Sequence, residues 1–158
     1  MPHSIHVGFL GVNDFAHELI QAIIDKGVIP EKNIYVSDAS PSSCAQYEGR
    51  AISVFKDDMT TLIKAELVII TAPRREFGTV LAPICALTRG KIIVAMTEGI
   101  DCNFVLDRVT KGTYVVSAAP HQNDAGEWET SLEYSAGFPE YMKAACIDIV
   151  GSICKPGQ

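Results

Sequence analysis

Residues Ile5 to Lys26 read IHVGFLGVNDFAHELIQAIIDK, and the apolar pattern changes period once within them. Ile5, Val7, Phe9 and Leu10 form a short apolar run of strand type, which Gly11 breaks. From Phe15 onward Phe15, Ala16, Leu19, Ile20, Ala22 and Ile23 recur at helical spacing, and Gly27 stands where a helix C-terminus takes a left-handed residue. Strand, glycine turn and helix make the opening half of a βαβ unit, whose helix start offers free N–H groups to a dinucleotide pyrophosphate. The hexapeptide Gly11-Val12-Asn13-Asp14-Phe15-Ala16 keeps the first and last positions of the G-x-G-x-x-G/A fingerprint and has Asn13 in place of the middle glycine. Asn enters the left-handed region more readily than most residues, so the loop shape is expected to persist. The Asn13 side chain and the Asp14 carboxylate are expected to crowd the phosphate position.

Outward from this stretch, a second strand, Ile34 to Asp38, ends about twenty residues past the fingerprint, where an acidic residue accepts hydrogen bonds from ribose hydroxyls. Asp38 also suits a turn or cap in Asp38-Ala39-Ser40-Pro41, a role Ser40 can share, and both readings stay open. No Lys or Arg follows Asp38 before Arg50, which favours NAD over NADP. Further strands are expected at Ala51–Phe55, Leu67–Thr71, Lys91–Met96 and Thr113–Ser117, with an edge strand at Glu129–Tyr134 and a short one at Ser152–Cys154. Helices are expected at Ser42–Tyr47, Met59–Lys64 behind Asp57-Asp58, Glu76–Leu87, Asn103–Val109 behind the cap Asp101, and Pro139–Val150. This alternation predicts an α/β fold: one domain, residues 1–154, built on a doubly wound, mostly parallel Rossmann-like sheet, with 155–158 as a tail. Arg74 and Arg75 follow the end of a central strand, where open sheets bind ligands; they read as contacts for a phosphate or carboxylate, or as a solvated helix start.

With 158 residues and 47% hydrophobic content, the chain suffices for one full core. A net charge of -6 with no basic block argues against nucleic acid or an anionic membrane as partner, and no apolar run approaches a membrane span. Met1-Pro2-His3-Ser4 lacks both regions of a signal peptide, and the five scattered cysteines show no ligand spacing. A cytoplasmic protein with reduced thiols and no metal site is expected.

Val7 to Ala16 resembles the "IGFIGxGNMA" opening of the pyrroline-5-carboxylate reductases, and Gly27 to Ser40 resembles that family's next segment in residues and length. Leu67 to Pro73 is similar to its "VVLAVKP" strand and loop, Glu98-Gly99-Ile100 to its "AGI", and Ala119-Pro120 to the start of its "MPNTP" loop. Asn13 and Asp14 stand at the family's Gly-Asn, Pro73 at its lysine, Arg74-Arg75 at its Pro-Gln, and His121-Gln122-Asn123 at its "NTP". The resemblance covers the family's N-terminal NAD(P)-binding domain; its helical C-terminal domain, which forms the dimer and much of the substrate pocket, has no counterpart.

The resemblance implies an oxidoreductase that reduces the imine of pyrroline-5-carboxylate to proline, a step of proline biosynthesis, with NAD or NADP. It sets the cofactor over Gly11, Val12, Asn13, Asp14 and Phe15, with Asp38 and Ser40 at the ribose and Thr71, Ala72 and Pro73 alongside. The nicotinamide falls near Thr97, Gly99 and Pro120. Hydride chemistry belongs to the cofactor, and His121 is the one nearby residue titrating near neutrality that can give a proton to the nitrogen. The partner is then a small-molecule substrate or nucleotide, with a homodimer or another protein in place of the missing domain. The alternative is a non-catalytic Rossmann-like module that binds nucleotide or protein through a degenerate fingerprint.

Overall fold

Val7–Leu10, strand β1, is buried at every position, and Gly11 ends it at φ +84°, where a side chain would be strained. The computed structural model describes residues 3–38 and 41–156. Helix α1 (Asp14–Asp25) follows, burying Ala16, Leu19, Ile20 and Ile23, and Gly27 closes it at φ +66°. After a short 3-10 turn comes β2 (Ile34–Ser37); a 3-10 segment then leads to β3 (Ser53–Phe55). Asp57 caps α2 (Asp58–Lys64) by accepting from the Thr60 amide at 2.8 Å. β4 (Leu67–Ile70) is again wholly buried; α3 (Arg74–Leu81), β5 (Ile92–Ala95), α4 (Cys102–Leu106) and β6 (Tyr114–Ala118) complete the alternation. The last part of the chain holds β7 (His121–Gln122), β8 (Trp128–Thr130), β9 (Leu132–Tyr134), α5 (Glu140–Gly151) and β10 (Lys155–Pro156).

The main sheet runs β3-β2-β1-β4-β5-β6-β9, parallel except for β9, which pairs antiparallel with β6. Successive strand residues face opposite sides, so each buried strand feeds two cores. Val7, Phe9, Leu67, Ile69 and Val94 pack with Leu19, Ile23, Met142 and Ile149, on the side of α1 and α5. Leu10, Val68, Ile70 and Ile93 pack with Leu62, Phe77, Leu81 and Val105, on the side of α2, α3 and α4. The sheet is therefore doubly wound and Rossmann-like, as its alternation predicts. Among the described residues, no helix is long and apolar enough to cross a membrane.

The C-terminal third departs from expectation in two places. The edge strand expected at Glu129–Tyr134 is two strands: β8 belongs to a small separate sheet, β10-β8-β7, while β9 joins the main sheet. The corner lies at exposed Ser131, and a period-2 pattern survives a corner without reporting the change of partner. The strand expected at Ser152–Cys154 is instead the turn that follows α5, its amides bonding to Ile149 and Val150 carbonyls. The extended segment is Lys155–Pro156, parallel to Glu129–Thr130 and within the expected tail.

Candidate functional site

Strand order reverses between β1 and β4, and the loops after both strands meet there. Together they line a cleft of about 240 Å³, bounded by Leu10, Gly11, Val12 and Asn13 on one side and Thr71, Ala72 and Pro73 on the other; Asp58, Glu76 and Val80 complete it. A Cβ built at Gly11 would meet nothing within 4 Å, so the turn presents bare backbone to open space.

Asn13 does not adopt the left-handed backbone its residue type suggests. It is an extended N-cap, φ -95° and ψ -177°, and its Oδ1 accepts from the Ala16 amide at 2.9 Å. The same side chain reaches across the cleft: Nδ2 donates to the Thr71 carbonyl at 2.9 Å, and Thr71 Oγ1 donates to Oδ1 at 3.0 Å. The middle fingerprint position is thus a bridge between the β1 and β4 loops. It consumes the Ala16 donor and leaves the amides of Asp14 and Phe15 as the helix-start donors. Asp14 is exposed in the first turn, and half-buried Phe15 packs on Trp128 with ring centroids 4.9 Å apart.

The cleft is acidic. Asp58 Oδ1 accepts from Ser37 Oγ at 2.5 Å. Burial pushes the Asp58 carboxyl above its ordinary range against that bond, and the charges of Asp57 and Asp38 add to the rise. In the sequence Asp57 and Asp58 read as a helix start, and the structure adds that Asp58 lines the cleft. The available signal was positional, because the helix after β3 also begins at the carboxyl edge of the sheet. Asp38 follows the end of β2, and its amide bonds the Phe55 carbonyl at 3.0 Å. Ser40 lies outside the described residues.

A second group forms around the β5 loop. Thr97 Oγ1 donates to the Ala72 carbonyl at 2.7 Å, stitching the loops after β4 and β5 together. Gly99 lies at φ +87°, and a Cβ there would sit 2.9 Å from Arg74 Cδ and 3.2 Å from its Nε. The Arg74 stem therefore lies across Gly99. Pro120 is buried after β6, but exposed His121 is carried onto the small sheet, its Nε2 3.8 Å from Glu129 Oε2, and it does not line the cleft. The structure thus gathers Gly11, Val12, Asn13, Thr71, Ala72 and Pro73, links Thr97 to them, and sets His121 apart.

A family model described as "NADP oxidoreductase coenzyme F420-dependent" matches residues 6–99. The chain is 26% identical over 119 residues to pyrroline-5-carboxylate reductase 3 of Danio rerio, across 75% of this chain and 41% of that protein. The pyrroline carboxylate reductase of Plasmodium falciparum, solved with NADP bound, matches in fold with a TM-score of 0.80 at 15% identity, over 100% of this chain and 59% of that one. A pyrroline-5-carboxylate reductase from Coxiella burnetii matches with a TM-score of 0.81 at 16% identity, over 99% and 60%. The chain spans less than half the length of the curated relatives it matches.

Proposed function

The chain belongs to the F420-dependent NADP oxidoreductase family, and from that premise we propose that it forms the nucleotide-binding part of an imine reductase of the pyrroline-5-carboxylate reductase type. The supporting observation is the cleft itself. It lies at the switch point of the sheet, its floor is bare at Gly11, and the free amides of a long helix open beside it. That backbone fits a pyrophosphate.

In this reading Asp14 and Phe15 donate their amides to the pyrophosphate, and Gly11 and Val12 allow it to approach. Asp38 takes the ribose hydroxyls. Arg50, the first cation after Asp38, is bonded to Glu31 at 2.7 Å and lies over the Tyr47 ring, so it is already engaged and NAD is preferred to NADP. Thr71, Ala72 and Pro73 flank the dinucleotide, while Thr97, Gly99 and Pro120 orient the nicotinamide. When bound, the cofactor supplies a hydride to the imine carbon. His121 stands apart on the small sheet and has no role in this reading; a second domain or copy excludes water from the nicotinamide face.

Titration with NADH and NADPH tests this, read by energy transfer from Trp128 and by melting temperature. Trp128 is suited to it, since it packs on Phe15 in the first turn of α1. Binding at a hundredfold Kd adds about 2.7 kcal/mol of stability. The expected result is a melting shift larger for NADH than for NADPH; a melting temperature unmoved by millimolar amounts of both refutes nucleotide binding.

A further inference from the structure

We propose that Arg74 and Arg75, walled by Pro73 and Phe104, form a subsite for the carboxylate of the substrate. This rests on the placement of the nicotinamide at Thr97–Gly99 given above. Of the five arginines in the chain, Arg50 alone forms an ion pair among the described residues. Arg74 and Arg75 are exposed in the first turn of α3, where the helix dipole opposes positive charge, so helix stability does not account for them. An anion held there meets two guanidinium groups and the favourable end of that dipole.

Arg74 is also held in place. Arg74 lies over Gly99 so closely that any Cβ at Gly99 would displace it. The loop carrying Gly99 is tied to the loop carrying Arg74 through the Thr97–Ala72 hydrogen bond. On the other wall, Arg108 covers Phe104, its guanidinium carbon 3.6 Å from the ring centroid and its Nη1 2.8 Å from the Phe104 carbonyl oxygen. Phe104 also meets Phe77 edge-on at 6.1 Å.

Pro73, Arg74, Arg75 and Phe104 bound an open concavity of about 520 Å³. Pro73 lines the nucleotide cleft as well, so the two spaces share a wall. Glu76, in the same helical turn, lines the nucleotide cleft and not this concavity. Apolar walls with paired cations suit a carboxylate on a small apolar ring, placed next to the cofactor's reactive end. Arg74 and Arg75 are then specificity residues that position the substrate, while the hydride comes from the cofactor.

The test is amide NMR of the whole chain titrated with pyrrole-2-carboxylate and, separately, its uncharged carboxamide, with NADH and NADPH titrated in parallel. The carboxylate is expected to shift the resonances of Arg74, Arg75 and Gly99, and the carboxamide to bind at least about tenfold more weakly, the loss of one charge-assisted pair. Arg74→Gln and Arg75→Gln should each weaken the carboxylate about tenfold, leave nucleotide affinity within about twofold, and match an Arg89→Gln control in melting temperature. Variants that weaken the nucleotides and spare the carboxylate would overturn the subsite, assigning the guanidiniums to phosphate. Equal binding of carboxylate and carboxamide, or shifts elsewhere, would overturn it too. Carboxylate shifts at Arg74 and Arg75 in a protein that binds neither nucleotide would support the anion subsite while removing the nucleotide reading.

Discussion

Replacing Asn13 separates two roles that the fingerprint position combines here. Its side chain makes three hydrogen bonds, to the Ala16 amide, the Thr71 carbonyl and the Thr71 hydroxyl. Loss of an Asn cap to Ala costs about 1 kcal/mol, and each remaining bond contributes about 1 kcal/mol net. Asn13 is exposed and water replaces part of this, so Asn13→Ala should cost about 2–3 kcal/mol, or about 5–10 °C in Tm for a domain of this size. Asn13→Gly keeps most of the cap energy and loses the bridge, so it should fall between wild type and Ala. Nucleotide affinity should move the opposite way. Gly at this position frees the Ala16 amide for a phosphate oxygen, a charge-assisted bond of about 1.5–3 kcal/mol, and affinity should rise about tenfold or more. Thermal and urea denaturation measure the first effect, and Trp128 energy transfer the second. A double-mutant cycle with Thr71→Val should give a coupling of at least about 0.5 kcal/mol. Additive losses, or a Tm change under about 2 °C for Asn13→Ala, would show that the bridge does not hold the two loops together. Unchanged NADH affinity in Asn13→Gly would show that Asn13 does not obstruct the phosphate.

Three further outcomes are expected. Gly8→Ala places a Cβ 2.7 Å from Thr61 Cγ2 and 3.1 Å from Ala65 Cβ, so it should cost about 1–3 kcal/mol by overpacking. Thr61→Ala removes both that methyl and a buried hydroxyl without a partner, and should recover most of the loss; failure of the double variant to recover points to strain in β1 instead. Asp58 has its folded pKa raised above the unfolded value of 3.8, so its ionisation opposes folding, with the penalty full above the folded pKa and gone below 3.8. Asp58→Asn should therefore raise Tm at pH 7 and NADH affinity with it, the Tm gain fading as pH falls toward 3.8; a constant gain down to pH 3 contradicts this. Burial pushes the thiols of Cys102 and Cys154 to about 11 and that of Cys146 to about 12, so iodoacetamide at pH 8 should label half-buried Cys85 first; labelling of those three at a comparable rate, read by mass spectrometry, would contradict their burial.

What the sequence displays, and what it hides, follows from the range of the interactions involved. β1, β4 and β5 are legible because each is a short run without a charged residue, bounded by turn signals, as a strand buried on both faces requires. The caps Asp57 and Asp101 are legible because their partners, the amides of Thr60 and Phe104, lie three residues on. Asn13 shows the limit. Its cap to Ala16 is local, but its bridge to Thr71 spans fifty-eight residues, and nothing near Asn13 announces it. The acidic lining is hidden differently. Asp58 at a helix start satisfies the dipole whether or not a ligand comes there, so residue type alone cannot separate stability from binding. Arg74 and Arg75 differ from Asp58 in that cations at a helix start gain nothing from the dipole. A residue that violates the local rule, at the edge of the sheet where every crossover delivers its loop, is the strongest pointer to function that a single sequence of this fold contains.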